Sequence, residues 1–300
     1  MLKGLSAFPL TPMSETAIDE VAFTKLFKRL VSAKVDSIGV LGSTGCYAYL
    51  SREERLRVTQ LAVENAEGIP VMIGISALRT RDVLQLAEDA QRAGASSVLL
   101  APVSYQQLTG AEVYSLYEMV TKSLSIPLCV YDNPSTTHFH FSDELHGNIA
   151  RLPYVCSIKI PGVPQGLDIA KERVKQLRAH IPSDVTIGVS GDPYAAVGLN
   201  AGCETWYSVL GGLYPNVCAG LARAAIAGLS DEAESQSTRL KPLWEMFQRY
   251  GSLRVVATIA EMQGLIDEPS LPLPLQSLDE TVRQELGSIL IRLQNEFSLN

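Results

Sequence analysis

Tyr154-Val-Cys-Ser-Ile-Lys-Ile-Pro-Gly162 is a short run of β-branched and apolar residues closed by Pro161-Gly162, and it reads as a buried strand ending in a sharp turn. A lysine sits inside it. Removing water from an ammonium disfavours the charged form, so Lys159 in such a strand is expected to have a lowered pKa and a free amine near neutral pH. A free amine attacks carbonyls. Lysines in strands also act as salt-bridged or snorkelling residues, so the surroundings of the strand decide between the roles.

Outward from this strand, the apolar pattern alternates between two periods. Upstream, 126–131 reads as a strand and 142–149 as a short helix. Downstream come a helix over 167–179, a strand over 185–190, a helix over 193–200, a strand over 204–209 and a helix over 215–227. Nearer the amino terminus, an extended start at 5–11 is followed by a helix over 18–35, with Val21, Leu26, Phe27, Leu30 and Val31 at helical spacing. A strand over 37–42 leads into Ser43-Thr44-Gly45. Ser51 with Glu54 is a capping-box signature for the next helix, and strands over 70–75 and 97–102 precede helices over 80–93 and 111–123. Strand starts recur about every 30 residues, the length of one strand-plus-helix crossover unit. Eight such units by residue 228 are the tally of an α/β fold of the (β/α)8 TIM barrel type. Beyond 228 no strand pattern remains. Helices over 241–250, 253–263 and 280–297, separated by a proline-rich stretch at 268–275, form a C-terminal helical extension over 229–300. An open doubly wound sheet would carry a glycine-rich phosphate turn after its first strand, and the chain has none.

The bulk composition narrows the function classes. The chain has 300 residues, 46% of them hydrophobic and 19% charged, with a net charge of -7. That balance offers no basic footprint for nucleic acid or an anionic membrane, and no stretch is apolar for long enough to span a bilayer. Five scattered cysteines, Cys46, Cys129, Cys156, Cys203 and Cys218, fit neither a disulfide framework nor a zinc spacing, and point to a reducing cytoplasm. His138 and His140 are close together but lack partner ligands, and they read as solvated loop residues.

In a parallel barrel the reacting groups lie at the carboxyl ends of the strands. Those ends hold Gly42-Ser43-Thr44-Gly45, Tyr131-Asp132-Asn133-Pro134, Lys159 and Ser190-Gly191-Asp192. Strand alternation puts Cys129 with Tyr131 and Ser157 with Lys159, so both functional ends can face one lumen. The set is chemically coherent. Lys159 attacks a ketone, Tyr131 carries protons during dehydration to an imine, and the Ser43-Thr44 turn binds a carboxylate through hydroxyls and backbone N–H groups. A protonated imine is itself an electron sink, so neither metal nor cofactor is called for.

At these residues the chain resembles the dihydrodipicolinate synthase and N-acetylneuraminate lyase family, class I Schiff-base enzymes on a (β/α)8 barrel. The resemblance runs from about Leu5 to Ala227 and continues into the extension. It implies a cytoplasmic lyase or synthase acting on pyruvate or another 2-oxo acid and an aldehyde, by aldol cleavage, condensation or dehydration. It also implies Lys159, Tyr131 and Thr44 as catalytic residues. Ser43, Thr44, Tyr207, Tyr105 and Thr136 become the candidate substrate-binding residues, Tyr207 standing where the family has an apolar residue in the pyruvate pocket. Family members are commonly homotetramers in which a tyrosine reaches into a neighbouring site. Tyr105 is the nearest match to it, with Ser104 the other candidate.

Departures bear on the substrate. Thr136 follows Ser135 where the synthases have an arginine that places an acidic partner, which weakens the case for an aspartate-semialdehyde substrate. Cys46 replaces a common glutamate, Ile160-Pro161-Gly162 replaces a more polar turn, and Trp206 with Tyr207 adds bulk to strand eight. A pocket reshaped for a keto-deoxy sugar acid is the consequent expectation. Two alternatives stand beside it: a barrel that binds 2-oxo or sugar acids without turnover, as a sensor or structural subunit, and a metal-dependent aldolase, which would need clustered ligands.

Overall fold

The computed structural model describes residues 2–297. Among them, eight strands of four to six residues alternate with helices: β1 (Gly4–Ala7), α1 (Glu20–Ser32), β2 (Ser37–Val40), α2 (Arg52–Glu64), β3 (Val71–Gly74), α3 (Thr80–Ala93) and β4 (Ser97–Leu100). These are followed by α4 (Gly110–Thr121), β5 (Leu128–Tyr131), α5 (Pro134–Thr137), α6 (Asp143–Ala150), β6 (Val155–Ile160), α7 (Leu167–Arg178), β7 (Thr186–Ser190), α8 (Ala195–Asn200) and β8 (Thr205–Ser208). The carboxyl-terminal part contains α9 (Pro215–Ile226), α10 (Ser230–Arg239), α11 (Lys241–Tyr250), α12 (Ser252–Met262) and α13 (Glu280–Phe297). Every strand is parallel to the next, and β1 pairs with β8, so the sheet closes into a barrel in simple order. No helix among the described residues is long and apolar enough to cross a membrane.

Local chemistry explains the boundaries. Ser51 and Thr109 cap α2 and α4, each in a reciprocal pair with the glutamate three residues on, Glu54 and Glu112. Gly94 ends α3 in the left-handed region, where a side chain would be strained. On α1 the buried stripe is Ala22, Phe23, Leu26, Phe27 and Leu30. Burying each large side chain of that stripe contributes about 1.5–3 kcal/mol. Val21, expected on the same face, is 81% exposed. At 100° per residue it falls on the outer side of the helix with Lys25 and Lys28.

Two helices lie outside the pattern read from sequence. In α10 only Ala233 is buried, so its polar run carries no apolar period to detect. The single turn of α5 is initiated by Pro134 at its first position, where the missing N–H is harmless. The carboxyl-terminal helices share the apolar core of the barrel, and α12 reaches the turn at Ser43–Gly45. Glu261 on α12 accepts from Arg283 at 2.5 Å and from the hydroxyls of Ser270 and Ser277 at 2.7 Å, tying the proline-rich segment down.

Candidate active site

The register of three neighbouring strands sets up the lumen. Tyr131 of β5 is level with Lys159 of β6, which is level with Gly188 of β7. Because side chains alternate along a strand, Cys129 and Tyr131 point inward together, as do Ser157 and Lys159. Cys129, Tyr131 and Tyr207 form one apolar-walled cluster with Phe8, Met72, Leu99 and Ala101, as the alternation predicts.

Lys159 is only 5% exposed. Its Nζ lies 4.0 Å from the centre of the Tyr131 ring, 4.1 Å from that of Phe8 and 5.4 Å from that of Tyr207. No carboxylate among the described residues pairs with it. The amine is therefore bedded on ring faces instead of being fixed in an ion pair.

Tyr131 holds its hydroxyl at the top of this bed. Asn133 Nδ2 donates to Tyr131 Oη at 2.9 Å, and Ser43 Oγ lies 3.4 Å from it. Since Asn133 supplies a proton to that oxygen, the tyrosine's own proton is free to point toward Ser43 or a ligand. Asn133 is braced in turn by Ser135 Oγ, which donates to its Oδ1 at 2.7 Å.

The turn after β2 is a 3-10 helix over Ser43–Gly45, closed by N–H bonds from Gly45 to Gly42 and from Cys46 to Ser43. That pattern leaves the N–H groups of Ser43 and Thr44 outside the turn's own bonds, a concavity suited to an anion. Ser43 Oγ is the hydroxyl of the pair within hydrogen-bond distance of Tyr131, and Thr44 is buried beside it. Cys46 caps the turn in the left-handed region and is buried, which pushes its thiol up to about 12 and leaves it protonated.

Tyr207 closes the lumen from below. It is 1% exposed, and its hydroxyl lies 2.7 Å from Ser157 Oγ and 3.3 Å from Cys129 Sγ. Burial pushes this phenol well above its ordinary value, so it stays protonated. Trp206, expected to add bulk beside it, points instead into the helical shell, where Nε1 donates to Asp192 Oδ1 at 3.0 Å. Successive strand residues face opposite sides, so only one of the two can enter the lumen.

Thr136 is exposed on α5 at the rim, where its hydroxyl reaches the Asn133 carbonyl at 3.4 Å. Tyr105 is 91% exposed on the loop between β4 and α4, so within one chain it does not join the other candidates. His138 and His140 are exposed, and among the described residues no three His, Cys, Asp or Glu side chains gather as metal ligands would.

Three contributors were not singled out from sequence. Phe8 lies one residue past β1, inside the extended start read at 5–11, where its parity was not used. Asn133 was noted only as part of a turn. Arg55 is buried in α2 and donates to the carbonyls of Gly74 and Ser76 at 2.8 and 3.0 Å, pinning the end of β3. Desolvation pulls it down to about 10, and its guanidinium lies 5.3 Å from the Tyr47 ring centre.

On the opposite side of β5, Asp132 and His146 meet at 3.4 Å, both buried. Burial pushes Asp132 up to about 7 and pulls His146 down to about 4. Phe141 stacks on the imidazole with ring centres 4.7 Å apart.

Comparison with known proteins covers the whole chain. A family model described as the dihydrodipicolinate synthetase family matches residues 1–293. A crystal structure of a dihydrodipicolinate synthase from Agrobacterium tumefaciens superposes with a TM-score of 0.93 at 43% identity, covering 97% of this chain and 98% of the other. A putative dihydrodipicolinate synthetase from Pseudomonas aeruginosa gives 0.89 at 27% identity, over 98% and 100% of the two chains. A 4-hydroxy-tetrahydrodipicolinate synthase of Methylobacterium radiotolerans is 28% identical over 275 residues, 91% of this chain and 90% of its own length. A whole-length family match, a closed barrel and a lysine held in its lumen lead to one conclusion: this chain is an enzyme of the dihydrodipicolinate synthetase family, a lyase.

Proposed function

We propose that the enzyme forms an imine between Lys159 and the C2 carbonyl of pyruvate or another 2-oxo acid, and makes or breaks a carbon–carbon bond next to it. The observation that carries this is the amine itself, 5% exposed, unpaired with any carboxylate among the described residues and set between the Phe8 and Tyr131 rings. The Lys159 amine adds to C2, and the carbinolamine loses water as Tyr131 delivers a proton to the departing oxygen and recovers one through Ser43. The resulting iminium draws the electron pair of the C3–C4 bond into an enamine while the C4 hydroxyl passes its proton through Tyr131 to water and leaves as an aldehyde; the enamine then takes a proton at C3, and water adds to the imine to release the 2-oxo acid and free Lys159. Condensation is the reverse. The Ser43-Thr44 turn takes the carboxylate on its free N–H groups and hydroxyls.

The rim favours an uncharged, hydroxylated aldehyde half. Asn133, Ser135 and Thr136 line α5 where an acidic partner would need a cation, and hydroxyls and amides pair with hydroxyls instead. A 2-keto-3-deoxy sugar acid fits both ends. Tyr49, Leu78 and Tyr105, on three successive strand-to-helix loops, are 50%, 68% and 91% exposed. These exposed apolar side chains suit a homotetramer in which Tyr105 faces another copy, and light scattering reads that state.

The test is chemical. Pyruvate followed by borohydride should add one stable mass per chain, and Lys159→Ala should abolish it. Cleavage of several 2-keto-3-deoxy acids, compared with condensation of pyruvate and aspartate semialdehyde, then separates the substrate options. An adduct without product across the whole panel would favour a binding-only barrel.

A further inference from the structure

Below Lys159 lies a buried polar group of four side chains that the imine chemistry does not use: Tyr207, Ser157, Thr186 and Cys129. Tyr207 Oη contacts Ser157 Oγ at 2.7 Å and Cys129 Sγ at 3.3 Å, and Thr186 Oγ1 donates to Ser157 Oγ at 2.8 Å. Such groups are costly in a barrel interior unless each is paired, and when paired they fix geometry. Here they fix one ring. Tyr207 leaves β8, crosses in front of β7 and ends against β5 and β6.

The ring occupies a place that a glycine leaves open. Gly188 is the register partner of Lys159, and a β-carbon there would overlap the Tyr207 ring. Phe8 does the same on the other side, where β-carbons at Gly39 and Gly42 would overlap its ring, and the two rings meet edge to face with centres 6.1 Å apart. Together with Tyr131, these two rings wall the lumen beside the amine.

A 2-oxo acid bonded to Lys159 through C2 extends in two further directions. With its carboxylate at the turn after β2, as proposed above, its C3 turns to a flank of Lys159, and Tyr207, its ring centre 5.4 Å from Nζ, walls the β7–β8 flank. One carbon on C3 can leave through the mouth. On that flank a second meets the volume that Tyr207 fills over Gly188. We propose that Tyr207, locked by Ser157 and Cys129 and seated over Gly188, restricts this enzyme to 2-oxo acids unbranched at C3. The inference rests on the imine reading and adds to it the residue that sets donor shape.

Borohydride trapping with three acids tests it: pyruvate, 2-oxobutanoate and the C3-branched 3-methyl-2-oxobutanoate. The native enzyme should trap the first two and label with the third at least about tenfold more slowly than with 2-oxobutanoate, the scale of one misplaced methyl group in a packed pocket. Intrinsic differences in ketone reactivity cancel when the same ratio is taken in variants. Tyr207→Leu should narrow it about tenfold or more, and Tyr207→Phe, which keeps the ring, should preserve it. Equal labelling of the native enzyme by the branched and unbranched acids, or a ratio unmoved by Tyr207→Leu, would overturn the proposal. Where Tyr207→Leu fails to fold, Tyr207→Ile, which also removes the ring, reads the same ratio. Absence of any adduct, with pyruvate included, would instead remove the imine reading and this inference with it.

Discussion

The end of β5 and the elements packed on it carry polar groups on both sides, Tyr131 and Lys159 inward, Asp132 and His146 of α6 outward, and the two sides treat them differently. On the lumen side, Lys159 and Tyr131 sit against ring faces with the mouth of the barrel above them and donors left uncommitted. On the shell side, Asp132 and His146 are sealed under Phe141, and Asp132 Oδ1 and both ring nitrogens lack a hydrogen-bond partner among the described residues. The backbone joins the two sides, because the Asp132 N–H donates to the Lys159 carbonyl at 2.9 Å. A buried polar group open to a ligand can do chemistry, whereas one closed off from it can only alter stability. Changes on the inner face should therefore move turnover, and changes on the outer face should move stability.

The largest effect is expected inside. Tyr131→Phe removes the hydroxyl proposed to carry protons and should lower turnover by about 10²–10⁴-fold, with a smaller change in KM. Steady-state kinetics against a substrate from the keto-deoxy acid panel reads it, and a thermal midpoint close to the native value would show that the loss is chemical.

The next effect is in the shell. Asp192 accepts from Trp206 Nε1, Val209 N and Leu210 N at 3.0, 3.2 and 2.7 Å, and so holds the loop that follows β8. Burial pushes its carboxyl up to about 6 while these donors pull it down. Asp192→Ala strands two buried N–H groups and one half-buried one, and should destabilise by about 3 kcal/mol in urea unfolding. A native-like unfolding curve would break the contrast drawn between the faces.

Asp132 sharpens the contrast through pH. Its folded value, about 7, is raised above the ordinary 3.8, so its contribution is fully present below pH 3.8 and is lost as pH rises through 7. His146 runs the other way: held at about 4 against an ordinary 6.5, it contributes above pH 6.5 and loses that contribution as pH falls through 4. The two trends oppose each other in the native chain and should separate in single variants. Asp132→Asn should gain about 2 kcal/mol relative to native between pH 5 and pH 8, read by unfolding at each pH. A difference independent of pH would mean that the carboxyl is not held protonated.

The smallest effect lies on the periphery. Ser51→Ala deletes the capping-box acceptor for the Glu54 N–H and should cost about 1 kcal/mol, leaving pyruvate trapping unchanged.

Much of this architecture was legible in the sequence because short strands and crossover helices impose two separable periods. The lysine strand at Val155–Ile160 and the helix at Thr80–Ala93 fall where those periods put them. Parity alone put Tyr131 and Lys159 in one lumen. What periodicity could not supply was contact between residues outside regular elements. Asp132 meets His146 only after the intervening turn folds back, and the choice of Ser43 over Thr44 depends on how a three-residue turn is wound. Trp206 and Tyr207 were adjacent aromatic residues in the sequence, and only the closed sheet determines which of them enters the lumen.

The central claim concerns one nitrogen atom. Pyruvate and borohydride, followed by peptide mapping, should place a single reduced adduct on Lys159 within the segment of β6, and the Lys159→Ala protein should remain unmodified. An unmodified native enzyme, or an adduct on any other lysine, would contradict the account.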